Sequence, residues 1–231
     1  MDYGLSITKI SHLFWLGRYA ARVDATLRYL TGWYDTMLDG KPIDYRGFCQ
    51  SLDIPCPYTN PHNFMRSYIF DKKNPDSIRS AAEFMLGNGM VLRENIGSNT
   101  LSYLQMAVYA MDNASVSVNP GLGFQKVCDL MMAFAGSCDV YIDHLGIRNM
   151  IKCGSIVERI SLYLSFGYPD EQLRKAVDEL MTYTDRLSLL VSMDLNALSI
   201  LQIQRRILDQ GCGITISRYD MKHADESLFH L

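Results

Sequence analysis

Two stretches of the chain, LGRYAARVDATL and CGSIVERISLYL, repeat one helical pattern. A shift of 137 residues that carries Gly17 onto Gly154 also carries Leu16 onto Cys153, Ala20 onto Val157, Val23 onto Ile160 and Leu27 onto Leu164. Steps of three and four between these positions trace one buried helix face. A glycine inside a helix costs roughly 1 kcal/mol relative to alanine. Two glycines at matched positions therefore predict helices that approach each other closely. The same shift pairs Arg22 with Arg159, Ala21 with Glu158, and Asp24 with Ser161. Both copies keep the arginine, and the acids are divided between them. Packed side by side, they are expected to set Arg22 and Arg159 near a pseudo-twofold axis, neutralised reciprocally by Glu158 and Asp24.

Arg22 raises a second constraint. It stands on the line Trp15, Tyr19, Arg22, Thr26 and Tyr29, beside the apolar stripe of Leu13, Leu16, Ala20, Val23, Leu27 and Leu30. A guanidinium inside packed rings needs a partner, because an isolated buried charge is very costly.

Helical signals dominate the rest of the chain. The first helix is expected over about residues 9–37. Residues 40–62 hold four of the seven prolines and read as an irregular connection with room for one short helix. A helix follows DKKNPDS with Asp76 or Asn74 as its cap, breaks around Gly87–Gly89, and restarts behind Ser98. Beyond NPGLGF, helices are expected over Gln125–Phe134, Tyr141–Phe166 and Asp170–Leu189. NALSILQIQRRILDQG reads as a last helix stopped by Gly211, and residues 212–231 as a C-terminal arm. The expected fold is an all-α, single-domain helical bundle spanning residues 1–231, with an internal duplication of the first and a central helix.

Composition narrows the function. At 48% hydrophobic and 20% charged, the chain suits a folded soluble protein. Its net charge of −3 gives no global attraction to nucleic acid or to an anionic membrane. No apolar run is long enough to cross a bilayer, and MDYGLSITKI lacks a signal-peptide core, so a cytoplasmic location is expected. The six cysteines are scattered, without a CxxC pair or histidines at metal-ligand spacing. They read as reduced, mostly buried thiols, and no metal is expected. PGLGF and GCG lack the strand–loop–helix context of a phosphate-binding loop. Asp143–His144 reads as a helix-surface pair rather than a catalytic base.

The chain resembles the alpha-E family of bacterial all-helical proteins. The resemblance is carried by LFWLGRYAARVD, NPDSIRSA, LRENIGSNTLSYL and AGSCDVYIDHLGIRNMIKCGSIVERI, in family order. Departures mark a divergent, shortened member. Ala21 stands where a glutamate is usual, MLGNGM replaces an arginine-rich stretch, and Ile142, His144, Leu145, Gly146 and Ser161 occupy positions usually charged. The resemblance implies association with circularly permuted ATP-grasp proteins. The expected role is an accessory subunit of an ATP-grasp-type ligase system forming peptide or amide bonds. Such a subunit is not catalytic on its own, and ATP is bound by the partner. A polar cluster of Arg18, Arg22, Asp24, Arg93, Glu94, Glu158 and Arg159 reads either as a buried ion-pair network that fixes helix register or as the candidate ligand site, because arginine forks bind carboxylates and phosphates in bidentate fashion. Two alternatives remain open: a stand-alone enzyme or binding protein holding an anionic amino acid or peptide at that cluster, and a self-assembling helical scaffold.

Overall fold

The computed structural model describes residues 6–190. Among them the chain is all-helical: α1 (Ile7–Leu38), α2 (Tyr45–Leu52), α3 (Pro61–Phe70), α4 (Ile78–Val91), α5 (Arg93–Val116), α6 (Gly121–Tyr141), α7 (Leu145–Ser165) and α8 (Asp170–Leu190). The helix expected over NALSILQIQRRILDQG and the arm over 212–231 lie outside the described residues.

Five of the helix starts, those of α1, α2, α3, α4 and α7, carry a side-chain cap. The Ser6 hydroxyl accepts from the Lys9 amide and opens α1. Asp44 and Asn60 cap α2 and α3 in the same way, and Pro61 sits at the first position of α3, where a missing N–H costs nothing. The connection over 40–62 thus holds α2 and the opening of α3. Ser77, not Asp76 or Asn74, caps α4, with its Oγ accepting from the Ser80 amide at 3.0 Å. Asn74 instead shapes the turn before it, accepting from the Asp76 amide at 3.0 Å.

The glycines expected to break α4 lie within it. Gly89 is kept small because Leu104 of α5 packs over it: a methyl group there would come within 2.5 Å of Leu104 Cδ1. The chain bends later, at Gly97, whose φ of 77° and ψ of 158° suit glycine, and the helix resumes behind it at Ser98. α6 is longer than expected at both ends. α7 starts at Leu145 rather than Tyr141, since the His144 Nδ1 accepts from the Gly146 amide at 3.1 Å and caps it. Asp143–His144 is therefore a capping turn, not a pair on a helix surface.

α1 is the central element. It packs against α7, α4 and α6, while α5 joins α4 to α6 and α8 covers α7. Leu13, Leu16, Val23, Leu27 and Leu30 of α1 are fully buried. Arg79 of α4 ties that helix to α5. Its Nε donates to Asp112 Oδ1 at 2.8 Å and its Nη1 to Glu83 Oε2 at 2.6 Å. The hydrogen bond from Arg79 holds the Asp112 carboxyl below its usual range. Among the described residues no helix is long and apolar enough to cross a membrane.

The α1–α7 crossing turns on the two matched glycines. A methyl group on Gly17 would fall 2.9 Å from the Ser155 nitrogen and closer still to the Ile151 carbonyl oxygen. One on Gly154 would fall 3.2 Å from the Arg18 nitrogen and closer still to the Phe14 carbonyl oxygen. The shift of 137 residues carries Phe14 onto Ile151 and Arg18 onto Ser155, so each contact is the image of the other. The crossing is pseudo-twofold, and backbone meets backbone at its centre. Ser155 Oγ adds a hydrogen bond to the Gly17 carbonyl at 3.1 Å.

Candidate functional site: a split arginine–glutamate pair between α1 and α7

One turn beyond each glycine the crossing carries charge. Glu158 of α7 is 1% exposed and is gripped by two arginines of α1. Arg18 donates to Oε2 from Nε at 2.8 Å and from Nη2 at 2.8 Å. Arg22 donates from Nε to Oε1 at 2.5 Å. Residues 18 and 22 are four apart and so present one face of α1 to the same carboxylate. The Arg18 guanidinium also lies 4.8 Å from the centre of the Trp15 ring, which shields it from water and stabilises its charge. Burial pushes the Glu158 pKa up, but the charges and hydrogen bonds of Arg22 and Arg18 outweigh burial and hold it below the ordinary carboxylate value. Glu158 is a fixed anion and carries no proton for acid catalysis at neutral pH.

The reciprocal half of the site is different. Asp24 does not reach Arg159. It pairs with Arg28 on its own helix at 2.9 Å, because residues four apart meet before residues on another helix. Arg159 turns away from α1 and donates from Nη2 to Glu179 of α8 at 2.5 Å. Its Nε is buried without an acceptor. Arg22 Nε finds Glu158. The image of that bond would join Arg159 Nε to the side chain at position 21, which is alanine. The orphaned nitrogen is the mark of the missing acid.

Of the seven candidate residues, the structure brings Arg18, Arg22 and Glu158 together and leaves Asp24 and Arg159 in ion pairs beside them. Arg93 and Glu94 are exposed in the first turn of α5 and take no part in the ion pairs around Glu158. Glu179 was not singled out in the sequence, although it lies on an amphipathic helix beginning PDEQLRKAVDEL. Nor was Tyr68 of α3, which is 3% exposed and lies within the electrostatic reach of Arg22. The buried thiols of Cys128, Cys138 and Cys153 are pushed up to about 12 by burial, so they are protonated at neutral pH and inert as nucleophiles.

An Alpha-E domain, described as a predicted alpha-helical domain with a conserved ER motif, matches residues 9–200. The chain belongs to the Alpha-E family. No curated protein and no solved structure matches it. The only Glu-Arg dipeptide in this Alpha-E sequence is Glu158–Arg159. Its two side chains point opposite ways, Glu158 to α1 and Arg159 to α8, so the dipeptide clamps α7 between its two neighbours.

Completing the second half is a direct check. Ala21→Glu is expected to stabilise the protein by about 1 kcal/mol, the scale of a charge-assisted hydrogen bond at a half-buried position. The measurement is the urea midpoint, and the gain should vanish when Arg159→Gln is present as well.

Proposed function

We propose that this Alpha-E protein is an accessory helical subunit of an ATP-grasp-type ligase system that forms peptide or amide bonds. The observation that carries the reading is the state of Glu158. Both its oxygens are committed to Arg18 and Arg22, so the most buried acid among the described residues orders helices rather than moving protons. The buried thiols are held protonated in the same conservative manner. In this reading the ligase partner supplies ATP binding and acyl activation, and the helical subunit docks on it. Family membership supports the choice of partner, since Alpha-E proteins tend to be encoded with ATP-grasp proteins.

The test is co-expression with the ATP-grasp protein of the same genome, one chain tagged, followed by size-exclusion chromatography. Co-elution at fixed stoichiometry is expected, with ATP turnover present only in fractions containing the partner. Separate elution at micromolar concentrations of both chains would overturn the reading.

A further inference from the structure

A cavity of about 310 Å³ lies among the segment ahead of α3, α3 itself and the turn into α4, and none of its lining residues belongs to the Glu158 cluster. That volume is at the lower end for small-ligand sites and suits a molecule of amino-acid size. Pro55 and Pro57 supply the apolar part of its lining. Asp71 and Asp76 supply two carboxylates, and neither forms an ion pair with any described residue. Asp71 Oδ1 accepts from the Lys73 amide at 2.9 Å. The Asp76 carboxylate accepts no hydrogen bond from a described residue; only its amide is engaged, with Asn74 Oδ1 at 3.0 Å. The neighbouring cation of Lys72 is spent on Asp112, 3.1 Å away. Asp71 is also the C-cap residue of α3, at the negative end of the helix dipole, where a carboxylate is disfavoured.

A buried donor completes the lining. Tyr58 is 6% exposed, with its ring held against Phe64 at 5.1 Å between centroids. Its hydroxyl accepts from Asn74 Nδ2 at 3.1 Å, while its own proton has no acceptor among the described residues. Burial pushes this pKa up to about 12, so the proton stays in place at neutral pH. The cavity thus offers negative charge without a cation and one closed-in O–H without an oxygen. The turn that carries both acids is preset. Ser77 Oγ donates to the Asp71 carbonyl and Ser80 Oγ to the Asn74 carbonyl, each at 2.7 Å, which lowers the ordering cost of binding. A hard divalent ion would want six or more oxygen ligands. Among the described residues no three metal-ligating acids, histidines or cysteines converge, so an organic cation fits better.

We infer that this cavity binds the ammonium group of a small amine with a carbonyl beside it, such as an amino-acid amide or a peptide amino terminus. Asp76 and Asp71 face the ammonium, and the Tyr58 hydroxyl donates to the carbonyl oxygen. A free amino acid is disfavoured, since its carboxylate would meet the same two acids. The inference stands apart from the partner reading. The chain is titrated alone, so a failed co-elution leaves the result unchanged.

The test titrates the ¹⁵N-labelled full chain with alaninamide at about pH 6.5, below the α-amino pKa of about 7.7–8.0, with ionic strength held constant by sodium chloride. The backbone amides of Lys73 and Asp76, both bonded to side chains of the turn, are expected to shift saturably. N-acetylalaninamide has the carbonyl but no ammonium and should give no saturation. Asp76→Asn removes a carboxylate that holds no hydrogen bond, so the variant should fold and melt within about 3 °C of wild type. Its affinity for alaninamide should fall at least ten-fold. Tyr58→Phe keeps the ring on Phe64 and should weaken alaninamide while leaving ethylammonium, which has no carbonyl, unaffected. The absence of a saturable shift with alaninamide would overturn the inference. So would equal binding of the acetylated compound, unchanged affinity in Asp76→Asn, or saturation of the same amides by calcium or magnesium chloride below the alaninamide range.

Discussion

Gly17→Ala should cost the protein about 3 kcal/mol, the upper end of what overpacking does, because its methyl group meets main chain rather than a movable side chain. The Ile151 carbonyl and the Ser155 nitrogen belong to α7 backbone, so the two helices must separate to admit it. Separation loosens the grip of Arg18 and Arg22 on Glu158 as well. For a protein of this size the melting temperature should fall by roughly 6–12 °C. Gly154→Ala is the image substitution and should cost a similar amount. The double variant should cost less than the sum, since helices already parted accommodate the second methyl group. Three other helical glycines provide the contrast. Gly32, Gly87 and Gly136 have nothing within reach of an added methyl group. Alanine there should raise stability by about 0.5–1 kcal/mol through helix propensity. Thermal and urea unfolding of the five single variants would separate a packing glycine from a tolerated one. Equal effects at all five would refute the close crossing.

Glu158→Gln should be comparably damaging. It takes from Arg18, whose side chain is 8% exposed, the carboxylate that its Nε and Nη2 both reach. Removing one partner of a buried ion pair costs about 3–5 kcal/mol. The pH dependence follows from the depressed folded-state pKa. A carboxyl whose folded pKa lies below its unfolded value contributes stability that is fully present above the unfolded value. That stability is lost as pH falls through the folded one. Wild-type urea midpoints should therefore hold steady at neutral pH and decline below the ordinary value of 4.5. Glu158→Gln should start lower and decline less steeply. Asp112 is also held below its usual range by Arg79 and contributes a slope of the same sign to both proteins. The difference between the two curves isolates Glu158, and parallel curves would show that its ionisation is not coupled to folding.

Much of this architecture is legible in the sequence, and the reason is periodicity. The repeat of Gly17 at Gly154 marks the crossing because a backbone contact leaves only one residue type available at each centre. Local chemistry is harder to read. Asn74, Asp76 and Ser77 are all competent caps, and only the path of the turn selects Ser77. Gly87 and Gly89 look like a break, yet Leu104 packing over Gly89 keeps the helix intact where propensity argues against it. His144 is invisible as a cap because imidazole rarely plays that part, and it moved the α6–α7 boundary by several residues.

The polar site was half readable. That Arg22 needs a carboxylate follows from its place among rings, and Glu158 was the matched acid. The partner of Arg159 could not be found the same way. The shift sets Ala21 where its acid belongs, and Glu179 replaces that acid from α8, a helix outside the repeat. The shift itself held the answer, since position 21, not 24, is the image of Glu158. Arg93 and Glu94 carry the right chemistry but lie at a helix start that points to solvent, which residue type alone does not reveal.

The centre of the protein joins residues 137 positions apart, and this bears on how the chain reaches its fold. On the ribosome, α1 emerges with Leu13, Leu16, Val23 and Leu27 ready for burial, but α7 is not made until most of the described chain has followed. Until then the glycine notch of α1 has no counterpart and its apolar stripe is open to other contacts. Closing so long a loop is entropically slow compared with forming the neighbouring pair of α5 and α6. The protein should therefore gather its local helical hairpins first and close the α1–α7 crossing last.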